Sequence, residues 1–279
     1  MHPTEKQRTS TFTSLNGEKI FFRNWATSTK PKSIMVIVHG LNSHSAYYHN
    51  FALQLNENGH EVYALDLPGR GRSDGERYYI SDYKHIVAVI DQLIGIAQAA
   101  HPTTPVILFG HSAGGVFASV YTLFHQGKLN GLICESFAFQ IPAPGFALAA
   151  IKLLAHIIPH TRLIKLNNSD FSRDAAFVYK LNHDPLLENE KQPAKTMQQL
   201  LLAGELLKRK MPDITLPLFI LHGTADKATM PKGSRYFMEH VSSADKQLKL
   251  YEGHYHDLLN DKYNEIIVGD ILTWLNERF

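Results

Sequence analysis

Pro105-Val-Ile-Leu-Phe-Gly110-His-Ser112-Ala-Gly114-Gly115-Val-Phe-Ala-Ser-Val-Tyr-Thr-Leu-Phe124 is the stretch that decides the fold. Its first five residues are a short apolar run that reads as a buried strand, and its last nine have helical spacing. Between them stands Gly110-x-Ser112-x-Gly114. A glycine-flanked serine at a strand-to-helix turn is the pattern of a nucleophile elbow. The turn is tight, so its flanks have no room for side chains, and the serine hydroxyl points out above the sheet edge. An idle serine in a glycine-rich turn is the plain alternative, and the strand before and the helix after speak against it.

Working outward, apolar runs at 33–38, 61–65, 131–136, 218–221 and 247–251 read as further strands. Helical spacing covers 47–58, 80–100, 232–241 and the C-terminal stretch to Phe279, with Ser81 as the expected cap of the second and Gly59 closing the first. Phe12 to Trp25 reads as a hairpin turning at Asn16-Gly17. Strands alternating with helices imply a mostly parallel α/β sheet covered on both faces. The rhythm breaks from about 140 to 211, where three helices (143–158, 172–181, 194–210) and no strand are expected. The chain therefore divides into a core of 1–139 and 212–279 and a helical insertion of 140–211.

Composition narrows the function. The 279 residues are 44% hydrophobic and 19% charged, with a net charge of +2 and no long basic run. This describes an ordinary globular protein with no nucleic-acid partner. Cys134 is the lone cysteine, so no intramolecular disulfide forms, which fits a reducing, cytoplasmic setting. Its place in an apolar run makes it a core residue. The polar start, Met1 to Arg8, does not resemble a secretory leader. No His-Glu-x-x-His pattern or paired cysteines occur, so neither a metal nor another cofactor is expected. Pro68-Gly-Arg-Gly-Arg-Ser-Asp-Gly75 lacks the Gly-Lys-Ser/Thr of a phosphate loop and reads as a structural turn.

A serine nucleophile needs a base, and the base needs an acid to orient it. In a fold with this elbow their order is serine, acid, histidine. Asp226 follows the strand 218–221 and a glycine turn, which makes it the acid candidate, with a helix-capping role as its bland reading. Asp257 would point elsewhere, and Asp184 reads as a turn residue. Tyr251-Glu-Gly-His-Tyr-His256 follows the last strand, and its spacing leaves His254 and His256 both open as the base. The oxyanion of a tetrahedral intermediate needs two N–H donors. Ala113, after the nucleophile, supplies one. Leu41, after the strand end at His39-Gly40, supplies the other.

As a set, these residues resemble the monoacylglycerol lipases and related lysophospholipases of the α/β-hydrolase superfamily, nearly end to end. The likeness rests on His39-Gly40 with His44-Ser45 and Tyr48, on Asp66 with Gly69-x-Gly71-x-Ser73-Asp-Gly-Glu-Arg77, and on Gly110-His-Ser-x-Gly-Gly115. It continues through Ser172-Arg173, Asp184-Pro185-Leu186, His222-Gly-x-x-Asp226 and Tyr251-Glu-Gly-x-Tyr-His256. The resemblance implies an α/β-hydrolase fold, Ser112 as nucleophile, Asp226 as acid and His256 rather than His254 as base. It also implies that 140–211 is a cap whose apolar residues, Phe146 among them, shelter an acyl chain. Where the family carries a Glu and an Arg near the alcohol of the ester, this chain has Ser43 and Tyr47.

The expected activity is hydrolysis of lipid-like monoesters through an acyl-enzyme, with a small lipid ester as the partner molecule. A thioesterase or general carboxylesterase is the alternative within catalysis. A non-catalytic binding protein on the same fold is the alternative outside it. The helix at 143–158 is apolar on most sides. It reads first as a lid packed on the body, and a transient contact with a membrane surface is the sharper alternative. Oligomeric state is not legible.

Overall fold

The computed structural model describes residues 7–279. The residues Met1 to Lys6 of the polar N-terminal stretch lie outside it. In chain order the first half contains β1 (Gln7–Thr13), β2 (Lys19–Trp25), β3 (Ser33–Val38), α1 (His49–Glu57), β4 (His60–Leu65), α2 (Tyr83–Ala100), β5 (Val106–His111), α3 (Ala113–His125) and β6 (Gly131–Glu135). The second contains α4 (Gly145–Ile157), β7 (Arg162–Ile164), α5 (Ala175–Asn182), β8 (Gln192–Pro193), α6 (Ala194–Lys210), β9 (Leu218–Gly223), α7 (Pro231–His240), β10 (Lys246–Tyr251) and α8 (Asn264–Asn276).

Eight strands form one sheet in the order β1-β2-β4-β3-β5-β6-β9-β10. The β1–β2 and β2–β4 pairs are antiparallel, and every pair from β4 to β10 is parallel. The parallel strands β3, β4, β5, β6 and β9 are buried along their whole length, as continuous apolar runs demand when helices cover both faces. Strand alternation sorts the core into two halves. Ile34, Val36, Val38 and Leu108 face the side covered by α2, α3 and α7. Met35, Ile37, Ile107 and Phe109 face the side covered by α1 and α8. The chain moves outward from β3 to β4 in one direction and returns through β5 in the other. The crevice beyond the ends of β3 and β5 is therefore the switch point at which open parallel sheets hold their ligands. This is the α/β-hydrolase architecture expected from the sequence.

The boundaries differ from the sequence reading in instructive places. Asp82, not Ser81, caps α2, accepting a hydrogen bond from the Lys84 N–H, and residues 80–82 are not helical. Helix α5 begins at Ala175 under an Asp174 cap, because Ser172 and Arg173 are engaged with Asp261 instead. Between β6 and β9, where no strand was expected, β7 and β8 form a short irregular antiparallel ladder. Two or three residues per strand, one of them proline, leave no alternation to read. Cys134 is buried in β6, and burial pushes its thiol up to about 12, so it behaves as a core residue. Among the described residues no helix is long and apolar enough to cross a membrane.

The turn after β5 is shaped by close backbone contact. Ser112 sits at φ +55° and ψ −121°. Such a backbone costs about 1–3 kcal/mol and persists only where its surroundings impose it. A Cβ on Gly114 would lie 2.1 Å from the Val38 carbonyl oxygen, and one on Gly110 would lie 2.6 Å from the Gly115 Cα. Glycine at these positions lets α3 start directly against β3. Gly114→Ala is thus expected to abolish soluble, cooperatively melting protein. Gly95→Ala, on an exposed position of α2 with open space around its Cα, should raise stability by about 0.5–1 kcal/mol. Thermal melts of the two variants check both.

Candidate active site

Three loops at the C-terminal ends of parallel strands converge on the switch point. β5 delivers Ser112, the loop after β9 delivers Asp226, and the loop after β10 delivers His256. The last two loops are stitched together. Thr224 N–H donates to the Tyr251 carbonyl at 2.9 Å and Ala225 N–H to the His254 carbonyl at 3.0 Å. Gly223 permits this, since a Cβ there would lie 2.3 Å from the His254 oxygen.

The side chains form a hydrogen-bonded line. His256 Nε2 is 2.9 Å from Ser112 Oγ, and His256 Nδ1 is 2.8 Å from Asp226 Oδ2. Asp226 is deeply engaged. Its Oδ1 accepts from the N–H groups of Ala228 (2.8 Å) and Thr229 (2.9 Å), and its Oδ2 also accepts from Thr229 Oγ1 at 2.7 Å. His222 Nε2 lies 3.0 Å from the same Oδ2. Burial opposes ionisation here. Electrostatic attraction to the adjoining His256 ring and the hydrogen bonds of His222 and His256 outweigh it and hold the carboxyl well below the usual carboxylate range. Asp226 thus caps the turn before α7 and faces His256 at once. The geometry lets Ser112 pass its proton to His256 Nε2 while Nδ1–H stays fixed on an ionised acid.

Leu41 and Ala113 line the same cavity as Ser112 and His256. Among the described residues neither N–H donates a hydrogen bond. His39 explains the local backbone. It accepts from Leu67 N–H through Nε2 at 2.9 Å, so Nδ1 carries the hydrogen and donates to the Gly40 carbonyl at 2.7 Å. Burial pushes His39 down to about 4, which keeps it neutral. A Cβ on Gly40 would lie 2.8 Å from Ser112 Cβ, so glycine is needed for the 39–41 turn to approach the serine.

The cavity over these groups measures about 320 Å³ and is walled by Ile141, Ile164, Leu166, Phe171, Met197 and Leu200, all from the segment between β6 and β9. Phe171 meets the His256 ring edge-on at 5.0 Å. The expected binding residues Ser43, Tyr47 and Phe146 do not line it. Ser43 is buried, and Tyr47 donates to Asp184 Oδ2 at 2.6 Å, beside His44 on the same oxygen at 2.9 Å. Phe146 is 80% exposed on the outer side of α4, because the cavity is walled instead by residues before α4, by 164–171 and by α6. His254 is directed elsewhere, with Nδ1 3.2 Å from Asp261 Oδ2. The sequence assigns no role to His222, which it shows only within His222-Gly-x-x-Asp226, or to Thr229. Their only signal was His222 at four residues before Asp226.

Beneath the serine, His111, Glu135 and Asp257 bring one ligand-type atom each within 4.8 Å of one another, all buried. His111 Nδ1 is 3.2 Å from the Tyr48 hydroxyl, and Glu135 Oε1 accepts from Leu259 N–H at 3.1 Å, which ties β6 to the His256 loop. Burial pushes Asp257 up to about 6.

The fold and this site define an α/β-hydrolase. The family model described as "Serine aminopeptidase, S33" matches residues 29–263. The chain is 30% identical over 266 residues to a monoacylglycerol lipase of Mycolicibacterium smegmatis, covering 95% of each. It is 33% identical to a monoglyceride lipase of Rattus norvegicus, covering 94% of this chain and 88% of the relative. Among solved structures, the monoacylglycerol lipase of Paleococcus ferrophilus superposes with a TM-score of 0.84 at 30% identity, covering 93% of this chain and 99% of that one. The chain belongs to this serine-hydrolase family and is a hydrolase of the lipase and esterase kind.

A stability test follows from Asp257. Its pKa near 6 lies above the ordinary carboxylate value of about 3.9, so the folded state disfavours its ionised form. The penalty is absent below about pH 4, grows between about 4 and 6, and is full above. Asp257→Asn should therefore be more stable than the wild type at pH 8, by on the order of 1–3 kcal/mol, and equal to it at pH 4. Paired denaturant melts at the two pH values check the sign.

Proposed function

We propose that this enzyme hydrolyses lipid-like monoesters, monoacylglycerol or lysophospholipid, through an acyl-enzyme on Ser112. Ser112 attacks the ester carbonyl while His256 takes its proton. Asp226 holds the His256 tautomer and stabilises the imidazolium that forms. The N–H groups of Leu41 and Ala113 receive the oxyanion. His256 then protonates the leaving alcohol, activates a water, and the acyl group departs as the acid. The observation that carries the reading is the unbroken line from Asp226 through His256 to Ser112 on the floor of an apolar cavity. Nothing in these steps calls for a cofactor.

Residues 140–211 act as the cap in this account. Their inner face supplies the acyl-binding wall, and the outward side chains of Phe146, Leu153 and Ile157, 65–80% exposed along α4, supply an apolar stripe that meets a lipid surface. The relatives' names speak for a glycerol monoester. Tyr47, bound to Asp184 away from the cavity, speaks for loose selection of the alcohol, so simple alkyl esters and thioesters fall within reach of the same machinery.

Ser112→Ala and His256→Ala should each lose nearly all esterase activity with unchanged circular dichroism, leaving at most a residual of about 10³–10⁴ over water. His254→Ala should retain most of it. An inactive His254→Ala beside an active His256→Ala would reverse the assignment. On p-nitrophenyl esters kcat/KM should rise from acetate toward longer chains, since each buried methylene is worth about 0.8 kcal/mol until the cavity fills. Monoacylglycerol and lysophospholipid should be cleaved within about an order of magnitude of each other, one polar contact being worth about 1 kcal/mol. A preference for acetate or for triacylglycerol would refute the lipid-monoester reading.

A further inference from the structure

The oxyanion donor proposed above, the Leu41 N–H, belongs to a strip of backbone that is clamped from both sides. The peptide unit joining Gly40 and Leu41 is planar and trans, so its C=O and N–H point in opposite directions. His39 Nδ1–H holds the Gly40 carbonyl at 2.7 Å, on the side of the peptide away from its N–H. The next peptide unit, joining Leu41 and Asn42, is held differently. Asn42 N–H donates to Glu190 Oε1 at 3.0 Å, a bond across 148 residues of sequence. Asn42 lies at φ +53°, a left-handed conformation that a non-glycine residue keeps only under constraint.

Every polar group of Asn42's side chain is also taken. Gln192 Nε2 donates to its Oδ1 at 3.1 Å, and its Nδ2 donates to Asn168 Oδ1 at 3.0 Å. Glu190 Oε1 further accepts from Gln192 Nε2 at 2.8 Å and from the Arg70 guanidinium, whose Nη2 reaches Gln192 Oε1 at 2.7 Å. Asn42, Arg70, Glu190 and Gln192 are each at most 4% exposed. Asn42's three partners, Asn168, Glu190 and Gln192, all come from the segment between β6 and β9, and none of them lines the triad cavity, whereas Leu41 does.

From this we infer that Glu190 is a positioning residue for the reaction: through Asn42 it fixes the Leu41–Asn42 peptide and so aims the Leu41 N–H at the developing oxyanion. The cap is then part of the catalytic machinery as well as a roof over it. The inference rests on the reading of Leu41 as an oxyanion donor. A buried charge left without its partner destabilises strongly, so Glu190 is not simply truncated in the test.

The experiment compares Arg70→Leu/Glu190→Leu, which removes both charges, with Glu190→Gln, which keeps an acceptor for Asn42, and with Gln192→Ala. Each is assayed on a p-nitrophenyl ester and titrated with a trifluoromethyl ketone, which binds as a tetrahedral adduct. Loss of a whole oxyanion donor costs about 10²–10³ in kcat, so a misaimed one in the double variant should cost about 10- to 100-fold. KM should stay within about threefold, and affinity for the ketone should fall in step with kcat, because the lost interaction exists only in the transition state. Glu190→Gln should recover most of kcat. If the double variant does not fold, Gln192→Ala stands in for it, with a kcat loss of about 3- to 10-fold and unchanged KM, the size expected for one weakened hydrogen bond. A folded double variant or Gln192→Ala with wild-type kcat, or a loss confined to KM, overturns the inference. Ser112→Ala run in parallel separates the two readings: if it is inactive while the Glu190 variants are unimpaired, only the positioning role fails, and if it is active the triad itself fails.

Discussion

The absence of a side chain at Gly114 is the constraint on which the rest of the molecule depends. With the Val38 oxygen 2.1 Å from where its Cβ would be, α3 packs straight onto the end of β3. That contact leaves the preceding residue no relaxed backbone, so Ser112 takes a positive φ and stands clear of the sheet. The same approach puts the β3 exit, with Gly40 and Leu41, beside the serine. One steric fact therefore places Ser112 and Leu41, the proposed nucleophile and oxyanion donor, together at the switch point of the sheet.

A second glycine does the matching work on the other side. Gly223 lets the loop after β9 lie against the loop after β10, and two backbone hydrogen bonds fasten them. Asp226 and His256 are then held on one rigid unit. Asp226 is over-supplied with donors, from Ala228, Thr229, His222 and His256, which keeps a buried carboxylate ionised where burial alone would favour its neutral form. The segment between β6 and β9 adds what the sheet cannot: apolar walls, the Phe171 edge on His256, and Glu190, which is paired with Arg70 of the loop after β4 and holds the Asn42 N–H.

Much of this was legible in the sequence, and the reasons are physical. Strand runs such as 34–38 and 105–109 are apolar throughout because both faces are covered, and the elbow glycines are visible because nothing else fits them. Helix α6 spans the same 194–210 that its helical spacing predicts. Contacts between residues far apart in the chain were not legible. Glu190 on the Asn42 N–H and Tyr47 on Asp184 depend on how loops fold back over 148 and 137 residues, and no local pattern records them. The β7–β8 ladder is too short to carry a period. Phe146 faces outward although the cap was expected to turn it inward, because α4 is apolar nearly all round, and periodicity cannot say which side of such a helix faces inward.

Active-site labelling tests the central claim most directly. The wild-type enzyme treated with a fluorophosphonate should gain one phosphonyl group, and peptide mapping by mass spectrometry should place it on Ser112. Labelling should collapse in His256→Ala, where the serine has lost its base. An adduct on another residue, or folded wild-type protein that takes up no probe, would contradict the account.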